Sequence, residues 1–476
     1  MAKKANGAPT KEFFVGMLTR DIELSDAILD LLDNCLDGVV RQKKDIDKRS
    51  DMNYYSGYYS HITIDERRFV VEDNCGGIPL EIAEKYAFRM GRSSEKSDDL
   101  PTVGIYGIGM KRAIFKIGRS ASVITRNNGV LYKVTIPQNW VDLEDEWDFS
   151  IDEMSNAEEL KVGGTRIEIE NINKGVVENW NTEDKMNNFI DRLIKSIKQS
   201  YSFIIQKGFS IRINDRPVSA LPIQLLIAPT SERVAIKPFL YKQIFEDVSV
   251  SLAVGFYAPP PSLADIDDEN ELKRYSSEAG WTIVCNDRVV VYNDKSHLTG
   301  WGEAGIPQYH TQFVGIRGIV IFESNSPKNL PMTTTKRGVD TSSAIYAVVK
   351  DRMRQGLKMF TDYTNKWKGQ TEKERAYSAA AKSIPVEKLI GTPKEVEEVV
   401  SVQFRQNRGG LVFNPSLPKP FNAKPYRIIR FSKDLEDILD IVEYFYKDRT
   451  HQISPSQVGE RCFDIVLAKA KNGEGE

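Results

Sequence analysis

The 476-residue chain is poor in the residues that most often betray a site: four cysteines, four histidines and a formal net charge of only −2. Cys35, Cys75, Cys285 and Cys462 form no C-x-x-C pair, so a metal knuckle or a disulfide framework is disfavoured and the thiols are expected to be reduced and structural. A nearly balanced charge does not advertise a polyanionic partner, although it leaves room for a local basic patch. No apolar run approaches the ~20 residues that span a bilayer, and the opening Met1-Ala-Lys-Lys-Ala-Asn-Gly7 has no apolar signal core, so a cytoplasmic protein with no membrane partner is expected. There is no internal repeat. A Walker loop is missing as well, since no Gly is followed four residues later by Gly-Lys-[Ser/Thr], and the glycine spacing is not that of a dinucleotide fingerprint. What remains is 41% hydrophobic content, enough for several cores and for two to four domains.

One helix stands out early. From Ser25 to Val40, apolar residues at Ile28, Leu31, Leu32, Cys35, Leu36 and Val39 repeat with helical period, and Ser25 is a natural N-cap. Asp30, Asn34 and Asp37 fall at i, i+4 and i+7, so two carboxylates and an amide share one stripe. Asp26, Asp33 and the stripe carboxylates repel one another at three- and four-residue spacing, which a cation or donor must offset; a bound metal would do so. The plain alternative is a solvated acidic face.

Residues 61–64 and 69–71 read as a short hairpin running into Glu72-Asp-Asn-Cys-Gly-Gly-Ile-Pro79. A strand that ends in a carboxylate followed by glycines can accept a hydrogen bond from a base's exocyclic amine while the backbone comes close to that base. An ordinary tight turn is the alternative. Next, Val103-Gly-Ile-Tyr-Gly-Ile-Gly-Met-Lys111 leads into a helix marked by Ala113, Ile114 and Ile117. Free N–H groups at such a helix start suit a phosphate, and Lys111, unfavourable there on dipole grounds alone, makes sense beside a polyanion. A strand opening with Gly164-Thr165 follows.

In this order, Asp30-Leu-Leu-Asp-Asn34, Asp73-Asn-Cys-Gly-Gly77, Gly104-Ile-Tyr-Gly-Ile-Gly-Met-Lys111 and the Gly-Thr strand resemble the N-box, G1, G2 and last boxes of the GHKL ATPases. That superfamily holds gyrase B subunits, MutL, heat-shock chaperone ATPases, MORC proteins and histidine kinases. The resemblance covers roughly the first 170 residues, an ordinary domain size. It implies an α+β fold, a Bergerat-type ATP-binding α/β sandwich with helices on one face of a mixed sheet, and ATP with Mg²⁺ as cofactors. Asp30 then stands where the family has its hydrolytic Glu, Asn34 at its Mg²⁺ ligand and Asp73 at its adenine-binding Asp, followed by Gly77 and Ile78. Gly104, Gly107, Ile108, Gly109, Met110 and Lys111 occupy its phosphate lid, and Thr165 would hydrogen-bond near the adenine or Asp73. Asp37 is a second carboxylate able to orient the metal's waters. Two departures matter. Asp30 is a methylene shorter than Glu, which slows a general base unless the backbone compensates, and Cys75 replaces a family Gly.

With residues 1–175 taken as the ATP-binding domain, residues 176–368 alternate strand-like runs (209–214, 248–257, 281–292) with helices. Asn286-Asp-Arg-Val-Val290 is similar to a strand of the transducer domain of MutL and gyrase B, which is ribosomal S5-like. The polar loop Leu330 to Asp340 precedes an amphipathic helix carrying Ile345, Val348, Val349, Met353, Leu357 and Phe360. By the resemblance, Lys336, rather than Arg337, reaches the γ-phosphate from this loop; alternatively the loop is a surface turn with Asp340 capping the helix. Residues 369–425 read as a charged helical stretch and then a linker from Arg405 to Pro425. Residues 426–476 read as two helices, capped at Ser432 and at Ser454, which carries a capping box, with Leu435, Ile438, Leu439, Val442 and Phe445 inward on the first.

Gly91-Arg-Ser-Ser-Glu-Lys96 and the G-x-K ending look closest to MORC-like prokaryotic ATP-binding proteins. A histidine kinase is disfavoured because no His precedes the module in a dimerisation helix, and a topoisomerase or repair endonuclease because of length. The expectation is an ATP hydrolase that forms an ATP-dependent homodimer, acting as a clamp or switch on a protein or DNA partner. The alternatives are a nucleotide-gated module with negligible hydrolysis and a chaperone-like ATPase.

Overall fold

The computed structural model describes residues 10–43, 51–89, 108–143, 146–155, 160, 163–228, 234–260, 269–333, 335–407, 409–420, 429 and 431–472. Helix α1 (Lys11–Arg20) is capped by Thr10, and α2 (Leu24–Lys43) follows at once. α2 begins ahead of Ser25, the expected cap. The Glu23 carbonyl accepts from Asp26 and Ala27 N–H, and the Ser25 hydroxyl instead lies 3.1 Å from Asp26 Oδ1.

The hairpin read from alternation is there, as antiparallel β1 (Tyr59–Ile64) and β2 (Arg68–Asp73). After a one-turn α3 (Leu80–Ile82) come α4 (Gly109–Ile117), β3 (Gly118–Asn127), β4 (Val130–Ile136), β5 (Ser150–Glu153) and β6 (Gly164–Ile172). A short α5 (Lys174–Val177), the long α6 (Glu183–Gln206), β7 (Ser210–Ile213) and β8 (Arg216–Pro217) complete the body. The sheet has eight strands in the order β5-β4-β3-β6-β2-β1-β7-β8, and only β1–β7 is parallel. The run 209–214 thus belongs to the first sheet, which draws on chain as far as Pro217 rather than ending near residue 175. Pairing with β1, not local sequence, decides that boundary.

The inner face of this sheet, through Ile62, Phe69, Val71, Val123, Ile167 and Ile169, packs on α2, α4 and α6 in one core. The outer face carries cross-strand ion pairs instead, Arg68–Glu168 at 3.0 Å and Arg166–Glu72 at 3.2 Å. A sheet apolar on one side only makes a two-layer sandwich.

The second body begins with β9 (Gln224–Ile227), then β10 (Phe239–Phe245), β11 (Val248–Phe256), β12 (Gly280–Cys285), β13 (Arg288–Asp294) and β14 (Ile316–Ser324). Two late strands, β16 (Arg405–Asn407) and β17 (Gly410–Phe413), add to this sheet, while β15 (Lys382–Pro385) pairs with β9. The order is β13-β12-β14-β11-β10-β17-β16. The expected linker from Arg405 is therefore, in part, an edge hairpin, and its 421–428 segment lies outside the described residues. The run 281–292 is likewise a hairpin, not one strand: Asn286 and Asp287 both take left-handed φ, 49° and 68°, the geometry of a tight two-residue turn. Strands β11, β12 and β14 are buried on both faces, one against the helix Ala344–Trp367 (Val349, Met353, Leu357, Phe360) and the other against Val386, Leu389, Val396 and Val400. That double burial is why their sequences read as nearly continuous apolar runs.

α6 is shared by both bodies, giving Leu193 and Ile197 to the first core and Phe203 to the second. At the C-terminus, helices Leu435–Tyr446 and Pro455–Lys471 pair through Val442 and Val458. Asp434, not Ser432, precedes the first, and Leu435 is exposed rather than inward; Ser454 forms the expected capping box. Among the described residues no helix is long and apolar enough to cross a membrane.

Candidate nucleotide site

α2 brings Asp30, Asn34 and Asp37 onto one stripe, as its period predicts, with both carboxylates buried. Part of the offset to their mutual repulsion comes from within the chain. Three acids on this helix have a cation from elsewhere in the chain: Arg112 on Asp30, Lys336 and Arg288 on Asp33, and Arg337 on Asp26. Arg112 Nε lies 3.1 Å from Asp30 Oδ2, and its Nη2 bonds to the same oxygen. Burial and the neighbouring Asp33 nevertheless leave the Asp30 carboxyl above its ordinary range, Arg112 and Lys336 pulling it back only partly. The Nδ2 atom of Asn34 is buried with no hydrogen-bond partner.

Asp73 ends β2 with its carboxylate buried. Oδ1 accepts from Cys75 N–H at 2.7 Å and Oδ2 from Cys35 Sγ at 3.4 Å. Desolvation, the largest effect, pushes its pKa up to about 6 against those bonds. The turn beyond is built on glycine where it must be: Gly76 and Gly77 take φ 96° and 69°, and a Cβ on Gly77 would lie 2.1 Å from the Arg126 carbonyl. Cys75 does not have left-handed φ, so the departure from the family Gly costs no backbone strain. Gly38, whose role is not evident in the sequence, lets α2 touch this turn; a Cβ there would sit 2.3 Å from Cys75 O.

Thr165 faces Asp73 in the β2–β6 register, and its backbone N–H helps to hold that carboxyl's pKa down against burial. Its hydroxyl is 3.1 Å from Thr125 Oγ1, which in turn accepts from Ile78 N–H at 2.8 Å. Tyr132 donates to Ile78 O at 2.8 Å and Asn127 to Gly76 O at 2.7 Å. Thr125, Asn127 and Tyr132 thus hold the turn; β3–β6 and β3–β4 pairing brings them there, so no local motif could have announced them.

α4 starts beside Asp30, close enough that a Cβ on Gly109 would lie 3.3 Å from the Asp30 Cβ. Ile108 at its N-cap offers no side-chain acceptor, so among the described residues no side chain caps the first N–H groups of this helix, the groups that suit an anion. Met110 is buried in the core. Lys111 departs from expectation: its ammonium is buried on the carbonyls of Ala87 (2.9 Å) and Arg89 (2.8 Å), where desolvation lowers its pKa to about 8. Those two carbonyls satisfy the ammonium in the first turn. Gly104 and Gly107 lie outside the described residues, as does the 91–96 segment.

One turn along α2 from Asp30, Asp33 is a junction between the two bodies. Tyr201 OH is 2.6 Å from its Oδ1, Arg288 Nε 3.0 Å from the same oxygen, and Lys336 Nζ 2.9 Å from Oδ2. Arg288 also stacks 4.3 Å from the Tyr201 ring centroid, at the point where α6 departs from helical angles (Tyr201, φ −118°, ψ 15°). A second buried contact runs through the β12–β13 turn, Asp287 to Lys207 at 2.6 Å and to Tyr55 at 3.1 Å. A cavity of about 170 Å³ lies along the boundary, lined by Leu29, Ser200, Arg288, Lys336 and Arg337 among others. Asp340 does not cap the following helix; it accepts from Ser342, and Ser343 precedes the helix.

Residues 22–168 match the family model described as histidine kinase-, DNA gyrase B-, and HSP90-like ATPase. The matched span takes in Asp30, Asn34, Asp73, α4 and Thr165, and it supports the superfamily that the motifs resemble, with ATP as its nucleotide. No curated protein matches the chain. Mg²⁺ is the usual companion of ATP in such domains. Among the described residues no cluster of three His, Cys, Asp or Glu is arranged to hold a metal. The orphaned Nδ2 of Asn34 fits a phosphate oxygen of ATP, and with the amide turned over Oδ1 would stand in its place for the cation.

Proposed function

We propose that this chain is a Mg²⁺-dependent ATPase whose nucleotide state sets how the second body docks on the first, working as an ATP-gated homodimeric clamp or switch on a protein or nucleic-acid partner. The observation that supports this reading most is Lys336, delivered by the second body onto α2 within the charge field of Asp30. Asp73 takes the adenine amine, Asn34 the metal, Asp30 polarises the attacking water and Lys336 faces the γ-phosphate. The ion held at Asn34 would supply positive charge to the phosphates. Within the superfamily, the MORC-like branch is the closest kind by its motifs.

Purified protein assayed for Mg²⁺-dependent ATP hydrolysis over a range of protein concentrations tests this. Turnover per chain that rises with concentration is the expected result. Tight nucleotide binding with no turnover would favour the second reading, a nucleotide-gated binding module, which the Arg112 clasp on Asp30 favours.

A further inference from the structure

The contact between Arg112 and Asp30 joins two residues whose chemistry pulls in opposite directions. Resting on the ATPase reading above, Asp30 must accept a proton from water. Both contacts from Arg112 fall on one oxygen of that carboxylate, and the pair is largely out of solvent, with side-chain exposures of 20% for Arg112 and 9% for Asp30. A guanidinium cannot be deprotonated, and a carboxylate lone pair engaged by it is not available to water. As it stands, the Oδ2 oxygen of the base is occupied.

Arg112 also stands one turn into α4, whose N-terminus has no side-chain cap among the described residues and abuts Asp30 through Gly109. A phosphate drawn to that terminus would come within the compass of the same guanidinium and would offer it more negative charge than one carboxylate, in the planar forked geometry arginine favours. The other cation of α4's first turn, Lys111, cannot serve without abandoning the Ala87 and Arg89 carbonyls. Asp33 and Lys336 also face Asp30, but they are engaged with each other.

We propose that Arg112 is a phosphate-binding residue held in reserve by Asp30. Without nucleotide its guanidinium occupies Oδ2 of the carboxylate; when a nucleoside triphosphate binds, it moves to the phosphates and leaves that oxygen open to water. The nucleotide-free site is thus self-inhibited, and the substrate itself lifts the inhibition.

The test is a binding cycle on the full chain, with a non-hydrolysable Mg²⁺-ATP analogue and with adenosine as the ligands, using Arg112→Gln, Asp30→Asn and the double variant. Arg112→Gln should weaken the analogue by on the order of tenfold, the loss expected for a charge-assisted bond, and leave adenosine unchanged. Asp30→Asn should tighten the analogue several-fold by removing the competitor for Arg112, and that gain should shrink once Arg112 is absent. An equal change for both ligands in Arg112→Gln, or the same gain from Asp30→Asn in both backgrounds, would overturn the proposal. If Arg112→Gln does not fold, Arg112→Lys, which keeps the charge and loses the fork, should show a partial loss confined to the analogue; no loss there overturns it too. Wild-type protein that binds neither ligand removes the nucleotide reading itself, whereas binding without coupling removes this inference alone.

Discussion

Lys336 donates to Asp33 at 2.9 Å across 303 positions of sequence, and it does so from a left-handed backbone, φ 58°. A non-glycine residue in that region costs on the order of 1 kcal/mol or more and persists only where its surroundings hold it. Here the Thr333 carbonyl takes the Lys336 N–H at 2.9 Å, and neighbouring Arg337 is anchored on Asp26. The loop is shaped to put this ammonium against α2.

Replacing Lys336 by alanine is expected to slow hydrolysis by tenfold or more, on the order of a lost charge contact in the transition state, while ATP affinity changes little. Steady-state kinetics beside equilibrium binding would separate the two. An unchanged kcat would return the 330–340 loop to a surface role.

Asp33 carries a different burden. Removing it strands Arg288, which is 2% exposed, so Asp33→Ala should cost roughly 3–5 kcal/mol, the range for breaking a buried ion pair. Denaturant unfolding measures this directly. A loss under 1 kcal/mol would mean that the junction is no more than a surface pair.

Asp30→Ala should retain ATP binding and lose turnover by at least about a hundredfold, as removal of a general base does. Equal turnover in the variant and the wild type would take Asp30 out of the chemistry.

Asp73 has a pH signature. Its folded pKa of about 6 lies above the ordinary 3.8 because burial disfavours the charge. The folded chain therefore holds this proton more tightly than the unfolded chain does, so its contribution to stability is present at low pH and is lost as pH rises from 3.8 through about 6. Nucleotide-free Asp73→Asn should consequently be more stable than wild type at neutral pH, by up to about 3 kcal/mol, yet bind ATP poorly. In the wild type, adenine-nucleotide affinity should fall as pH drops below about 6. Affinity that is flat from pH 5 to pH 7.5 would argue against an anionic Asp73 as the adenine acceptor.

Gly38→Ala would drive a Cβ to 2.3 Å from Cys75 O, a contact that requires a backbone shift. A destabilisation of about 1–3 kcal/mol, the usual range for overpacking, together with weaker ATP binding is expected, read by thermal unfolding with and without nucleotide. Normal affinity would show that the α2 contact does not hold the turn.

The sequence by itself determined the pieces that depend on near neighbours. The period of α2 puts Asp30, Asn34 and Asp37 on one stripe, and the β1–β2 alternation carries Asp73 to a strand end ahead of two glycines with left-handed φ. Helical and strand periods are local properties, so they are written in consecutive residues. The fate of each charge was not written there. Lys111, Arg112, Arg288 and Lys336 are all cations in sequence, yet one goes to carbonyls and three go to α2 carboxylates. Only the packing of α4, the β12–β13 hairpin and the 330–340 loop around α2 decides which, because a charge leaving water goes to whichever partner tertiary structure brings within a few ångströms. The same reason put β7 into the first sheet and a hairpin where a linker was expected: strand pairing is a long-range bond, settled between segments far apart in the chain.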